Sequence, residues 1–269
     1  MTTSVLSVRN LTKRFGTFTA VDDVSFELAA GSSLGIVGES GSGKTTVARM
    51  VIGLEQPSSG GISCCGNDRS QPSRSTRARR KRAGEAQIVF QDPYSSLDPR
   101  HTIRQALTEA VALHHTGTPA TVRARVGELA EMVALDERLL GSLPAQLSGG
   151  QRQRVAIARA LGANPRVLVL DEAVAALDVS IQAQVLNLLA DVRAATGISY
   201  VFITHDLAVV RQVTEYSLVM AQGRVVEQGP TDELLGNPRH PYTRALLESV
   251  PRPGWIPSRR TVAPASVAG

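Results

Sequence analysis

The sequence predicts an α/β fold: a largely parallel core sheet, an antiparallel β lobe before it, and an all-helical stretch inserted within it. Three observations lead there. Strand-like and helix-like segments alternate after Gly31. The run 33–37 is short and apolar enough for a buried strand, 167–170 is apolar on both faces, as the central strand of a parallel sheet requires, and 200–203 reads as another buried strand. The stretch 38–45 reads Gly-Glu-Ser-Gly-Ser-Gly-Lys-Thr and stands between the first of those runs and a helical pattern at 46–52. Strand, glycine loop, helix is the context in which G-x-x-x-x-G-K-[ST] becomes a phosphate cradle. Glycines let the backbone curl so that N–H groups converge on phosphate oxygens, and the helix N-terminus adds partial positive charge.

Taken in order, residues 5–8 alternate and read as an edge-type strand, followed by a turn at 13–16. The segment 20–28 carries Val21, Val24, Phe26 and Leu28 at strand spacing, so the first lobe reads as antiparallel. After the glycine-loop helix, 56–61 is a turn and 62–65 a strand. The polar segment 67–84 is a surface connection with room for a short helix, and 87–90 a strand ended by Gln91-Asp92-Pro93. Val122, Val126, Leu129 and Val133 mark an amphipathic helix, so 92–160 reads as a helical subdomain within the core. The strand 167–170 ends at Asp171-Glu172. A helix through Ile181, Val185, Leu188, Leu189 and Val192 stops at Thr196-Gly197. The strand 200–203 ends at Thr204-His205-Asp206, and Gln222-Gly223 turns a hairpin. The last segment, 251–269, holds four prolines and reads as a loose tail.

Composition narrows the classes. With 269 residues, 42% of them hydrophobic, the chain suffices for one large domain with a subdomain. No apolar run approaches the roughly 18 residues of a membrane span, and residues 1–14 lack a signal-peptide core, so a cytoplasmic chain is expected. Cys64 and Cys65 are adjacent, poor partners for a disulfide or a metal, which fits a reducing compartment. The net charge is +5, and arginine supplies 26 of the 29 basic residues. The cluster Arg74, Arg77, Arg79, Arg80, Lys81 and Arg82 reads as a solvated face or a membrane-adjacent surface. Without interleaved aromatics it offers no base-stacking platform.

In a parallel sheet, polar residues at the carboxyl ends of strands face the ligand crevice. Gln91, Asp171-Glu172 and His205 all stand at such ends, alongside the glycine loop. Singly they read as a turn residue, a helix cap and a surface histidine; together they point to a phosphate-handling site.

These residues, with Leu147-Ser148-Gly149-Gly150-Gln151, resemble the ATP-binding cassette family from about residue 4 to 250. The resemblance implies a P-loop NTPase (RecA-like) core and a chain that binds ATP and Mg²⁺. Gly38, Glu39, Ser40, Gly41, Ser42, Gly43, Lys44, Thr45 and Thr46 would hold phosphate, Thr45 and Asp171 would hold Mg²⁺, and Gln91 would sense it. Glu172 would act as general base, with Lys44, Gln91 and His205 completing the catalytic set. Phe15 sits where the family stacks adenine, although core packing is the plainer reading of a lone Phe. Ser148, Gly149, Gly150, Gln151 and Asp178 would close on the nucleotide of a second cassette.

Two segments resemble the oligopeptide/dipeptide/nickel importer ATPases: 91–99, Gln-Asp-Pro-Tyr-Ser-Ser-Leu-Asp-Pro, and 237–247, Asn-Pro-Arg-His-Pro-Tyr-Thr-Arg-Ala-Leu-Leu. The resemblance implies a peripheral subunit on the cytoplasmic face of the cell membrane. Its partners would be a second ATPase subunit, favoured as a paralogue, two permeases and an extracytoplasmic solute-binding protein. Two departures stand out. Ala173-Val174-Ala175 replaces the family's common Pro-Thr-Ser, removing two hydroxyls from a dimer-facing loop. No cysteine follows Cys65, so no iron–sulfur cluster is expected. The alternative is a soluble cassette ATPase acting on ribosomes or nucleic acid; a single phosphate loop and the lack of sustained heptads argue against it.

Overall fold

The computed structural model describes residues 4–73, 75–92 and 96–249. The expectations placed on Arg74, on 93–95 of the glutamine segment and on the proline-rich tail lie outside the described residues.

The first lobe pairs β1 (Ser4–Phe15), β2 (Phe18–Ala29), β4 (Ser59–Cys64) and β5 (Asn67–Asp68) in the order β2-β1-β4-β5, all antiparallel. The reading of 5–8 as an edge strand is corrected here. β1 is an inner strand, bonded to β2 on one side and β4 on the other. It also runs on through Lys13 and Arg14, read above as a turn, because Phe15 pairs with Phe18 and leaves only Gly16 and Thr17 between the strands. Gly16 has φ of 57°, which suits so tight a loop.

The second sheet joins β3 (Ser33–Val37), β6 (Ala86–Val89), β7 (Val167–Asp171), β8 (Ser199–Thr204), β9 (Tyr216–Ala221) and β10 (Arg224–Pro230). Its order is β10-β9-β3-β8-β7-β6, and only β10 is antiparallel to its neighbour. Two cores flank it. Along β7 and β8, Val167, Val169, Val201 and Ile203 face one core, with the first lobe and α1 (Lys44–Ile52). Leu168, Leu170, Tyr200 and Phe202 face the other, among helices. Successive strand residues point to opposite faces, so a strand covered on both must be apolar throughout. Full burial of each such side chain contributes about 2 kcal/mol.

The helical stretch holds α3 (Ile103–His114), α4 (Pro119–Met132) and α5 (Gly149–Leu161), after the short α2 (Thr76–Glu85). Thr102 and Gln105 cap the start of α3 reciprocally, as Ser148 and Gln151 do for α5. The buried residues of α3, α4 and α5 share one continuous core with α6 (Val179–Thr196) and the sheet. A third, smaller core gathers Val37, Val219, α7 (Leu207–Val213), α8 (Thr231–Gly236) and α9 (Pro241–Glu248).

Candidate functional site

Strand order builds the site. β3, β8, β7 and β6 lie side by side, so the residues that follow them are neighbours. Val37 pairs with Thr204, placing the glycine loop beside His205. Asp171 pairs with Ile203, and the Glu172 N–H donates to the Ile203 carbonyl over 2.8 Å. Gln91 is exposed two residues beyond Val89, whose partner on β7 is Leu170.

The glycine loop is clamped from outside. A Cβ on Gly38 (φ 152°) would lie 2.2 Å from the Met220 carbonyl oxygen, and one on Gly43 (φ 101°) 2.5 Å from that of Ala20. The Gly223 N–H donates to the Ser42 carbonyl over 3.1 Å. Thus the turn of the β9–β10 hairpin and the start of β2 both brace the loop. The sequence shows Gln222-Gly223 as a hairpin, but only the folded chain shows that the hairpin supports the cradle. Ser42 is buried, whereas Glu39, Ser40, Gly41 and Thr45 are exposed and Gly43 and Thr46 intermediate.

Lys44 is 4% exposed, and its Nζ donates to the carbonyls of Gly38 and Glu39, both over 2.8 Å. Burial lowers its pKa, against the nearby Glu172, Asp171 and Glu39, which favour the charge. The Thr45 hydroxyl donates to Asp171 Oδ1 over 3.2 Å. Burial raises the Asp171 pKa against that hydrogen bond, and the Glu172 charge adds to the rise. A buried ammonium and a buried carboxylate beside a curled glycine loop fit Mg²⁺ and polyphosphate. The oxygen donors of Thr45 and Asp171 suit a hard cation that takes its remaining ligands from phosphate and water.

Glu172 and His205 form a second pair: His205 Nδ1 lies 3.3 Å from Glu172 Oε1. Glu172 adopts φ of 50°, a region uncommon outside glycine that recurs at functional sites. Phe15 is 49% exposed at the tip of the β1–β2 hairpin, with Lys13 Nζ 4.8 Å above its ring. It is thus a surface ring and not the core residue of the plainer reading.

Ser148, Gly149, Gly150 and Gln151 lie elsewhere. Ser148 and Gln151 cap α5, and Gly150 packs against Ile181 of α6, near Asp178. Among the described residues, no hydrogen bond or ion pair joins 148–151 to 38–46. Ser148, Asp178 and Val179 are exposed, Val179 by 83%. Val174 is 5% exposed within the helical core, so of the two positions lacking a hydroxyl only 175 faces outward.

A family model described as ABC transporter matches residues 21–175, more than half of the chain. The chain belongs to the ABC transporter family. A second model, the oligopeptide/dipeptide transporter C-terminal region, matches residues 226–265. The cassette is 46% identical over 250 residues to the oligopeptide transport ATP-binding protein OppD of Mycobacterium tuberculosis, covering 93% of this chain and 40% of that one. It therefore spans two-fifths of the mycobacterial protein. It is 48% identical to a putative peptide import ATP-binding protein of Brucella abortus, covering 87% of this chain and 70% of the relative. The structure of cbiO1 from Clostridium perfringens superposes with a TM-score of 0.78 at 29% identity, covering 87% of this cassette and 91% of that chain. The cassette MJ0796, solved as a dimer bound to ADP and Pi, gives 0.74 at 28% identity, covering 84% and 98%. The expected α/β nucleotide-binding fold is thereby established.

Proposed function

We propose that this cassette is the ATP-hydrolysing subunit of an importer for peptides or a related small solute such as nickel. The observation that carries the reading is the Thr45–Asp171 hydrogen bond beside the Glu172–His205 pair, at the ends of adjacent strands behind a curled glycine loop. Names of relatives support the solute class: OppD is an oligopeptide transport protein, and the C-terminal model is that of oligopeptide/dipeptide transporters.

Phosphoryl transfer needs positioning and charge stabilisation more than covalent chemistry. Loop amides and Lys44 bind phosphate oxygens. Thr45 and Asp171 would hold Mg²⁺, which would supply charge neutralisation, and Gln91 would sense that ion. Glu172 orients water and accepts its proton, and His205 steadies the Glu172 carboxylate and contacts the terminal phosphate. Phe15 stacks on adenine. Ser148, Gly149, Gly150, Gln151 and Asp178 complete the site of a second cassette, most simply a paralogue.

Coupling to the membrane uses the helical subdomain, about 92–160. A cavity of about 550 Å³ opens between it and the sheet, lined by Leu54, Phe90, Glu109, Leu113 and Arg159 among others. It lies next to Gln91 and suits a permease segment. No helix of the described residues is long and apolar enough to cross a membrane, which suits a peripheral subunit on the cytoplasmic face with two permeases and an external binding protein. The basic helix α2 carries no aromatic residue, so the nucleic-acid alternative finds no stacking residue within that basic segment.

Reconstitution with permeases tests the assignment. Glu172→Gln is expected to keep MgATP binding and to lose at least about 100-fold of hydrolysis, and uptake with it. Normal uptake by that variant would overturn the role given to Glu172.

A further inference from the structure

We infer that Tyr242, in the C-terminal segment, is a positioning residue for the phosphate loop. Its hydroxyl accepts a hydrogen bond from the Glu39 backbone N–H over 3.2 Å, across 203 residues of chain. Glu39 is thereby held at both ends of its backbone, because its carbonyl accepts from Lys44 Nζ over 2.8 Å. A lysine that turns to bind phosphate leaves that carbonyl, and the Tyr242 hydroxyl then remains as the brace on this residue. The neighbouring Gly38 approaches the Met220 carbonyl so closely that a Cβ there would lie 2.2 Å from its oxygen, so the brace acts beside a tightly packed position of the loop.

The rest of α9 is built to hold Tyr242 there. Glu227 of β10 accepts from the Arg239 N–H over 2.7 Å and from the His240 N–H over 3.1 Å, pinning the approach to the helix. His240 Nδ1 accepts from the Tyr242 N–H over 3.2 Å and caps its start. Leu246 and the half-buried Tyr242 belong to the same small core as Val37, which precedes the loop, and Leu207, which follows His205 by two residues. The helix therefore shares a core with two elements of the candidate site. In this arrangement the C-terminal segment sets how well the loop is preorganised to receive nucleotide.

The inference rests on reading 38–45 as the nucleotide cradle, and the experiment separates the two. MgADP binding is measured on the full chain, and steady-state hydrolysis on its assembled complex, for wild type, Tyr242→Phe and Lys44→Ala. Tyr242→Phe keeps the ring and removes the hydroxyl. It is expected to leave the melting temperature unchanged, to raise the MgADP Kd and the ATP KM about three-fold, and to leave kcat within two-fold. Lys44→Ala is expected to weaken MgADP at least ten-fold. Wild-type affinity in Tyr242→Phe alongside weak binding in Lys44→Ala overturns the inference alone. Wild-type affinity in Lys44→Ala overturns the cradle reading. A lowered melting temperature with unchanged Kd and KM makes Tyr242 merely structural and also overturns the inference. Hydrogen exchange gives an independent readout on the unmodified protein. The exposed Glu39 amide is expected to be protected in wild type and to exchange freely in Tyr242→Phe, and an unprotected wild-type amide overturns the proposal.

Discussion

Glu172 shows how much chemistry one residue position concentrates. It follows a fully buried strand, its N–H is tied to Ile203, its φ is 50°, and its carboxylate meets His205. The sequence exposes its identity by adjacency to Asp171, but neither its backbone conformation nor its imidazole partner can be read from spacing. Gly38 shows the same division. The motif demands glycine there, and the fold supplies the reason: the Met220 carbonyl fills the space a Cβ would take. Backbone cannot swing aside as a side chain can. Gly38→Ala is therefore expected to cost about 2–3 kcal/mol of stability and to abolish nucleotide binding, as chemical denaturation and MgADP titration would show. A variant of wild-type stability would mean the Met220 contact is loose.

At the scale of elements, one carboxylate joins three of them. Glu215 precedes β9, accepts from the Ser33 N–H (2.6 Å) and hydroxyl (2.9 Å) at the start of β3, and pairs with Arg193 in the last turn of α6. Burial pushes its pKa up, but these donors outweigh it and hold the group below its ordinary 4.5. A depressed folded-state pKa means stability that is present above about 4.5 and lost as pH falls through the folded value. Glu215→Gln is expected to cost about 1 kcal/mol at pH 7, kept small because the side chain is 53% exposed. The two urea curves should converge as the pH drops below 4.5; a constant offset at all pH values would discard the ionic explanation. Local sequence reading suffices only where partners are near neighbours, as Thr102 and Gln105 or Ser148 and Gln151 are in the caps of α3 and α5. It failed for β1, because whether a strand is at an edge depends on which distant strand, here β4, arrives beside it.

For the whole molecule, the separation of 148–151 from the glycine loop is the central fact. Ser148 and Asp178 are exposed, on segments that approach one another where Gly149 meets Leu177 and Gly150 meets Ile181, and among the described residues no hydrogen bond or ion pair joins them to Lys44. On the two-cassette reading, nucleotide binding belongs to a single chain and turnover to a pair. Ser148→Arg is expected to leave MgADP affinity of the isolated chain within two-fold and to reduce hydrolysis of the assembled complex at least about 100-fold. Hydrolysis per chain should also rise with protein concentration while MgADP affinity stays constant. Full turnover by a strictly monomeric chain would refute the pairing.

By itself, the sequence determined what depends on neighbours along the chain. Strand–loop–helix context marked 38–45 as a candidate phosphate cradle, apolar runs marked β3, β7 and β8 as buried strands, and polar residues at strand ends marked Gln91, Asp171, Glu172 and His205 as candidates beside it. Local backbone preference and hydrophobic burial act over a few residues, so a linear pattern carries them. Only the tertiary structure decided what depends on segments far apart: the inner place of β1, the bracing of the loop by Ala20, Met220 and Gly223, and the reach of Tyr242 to Glu39. Those contacts are directional hydrogen bonds and backbone-to-backbone approaches. Their partners are chosen by strand order and helix docking, which no spacing of residue types records.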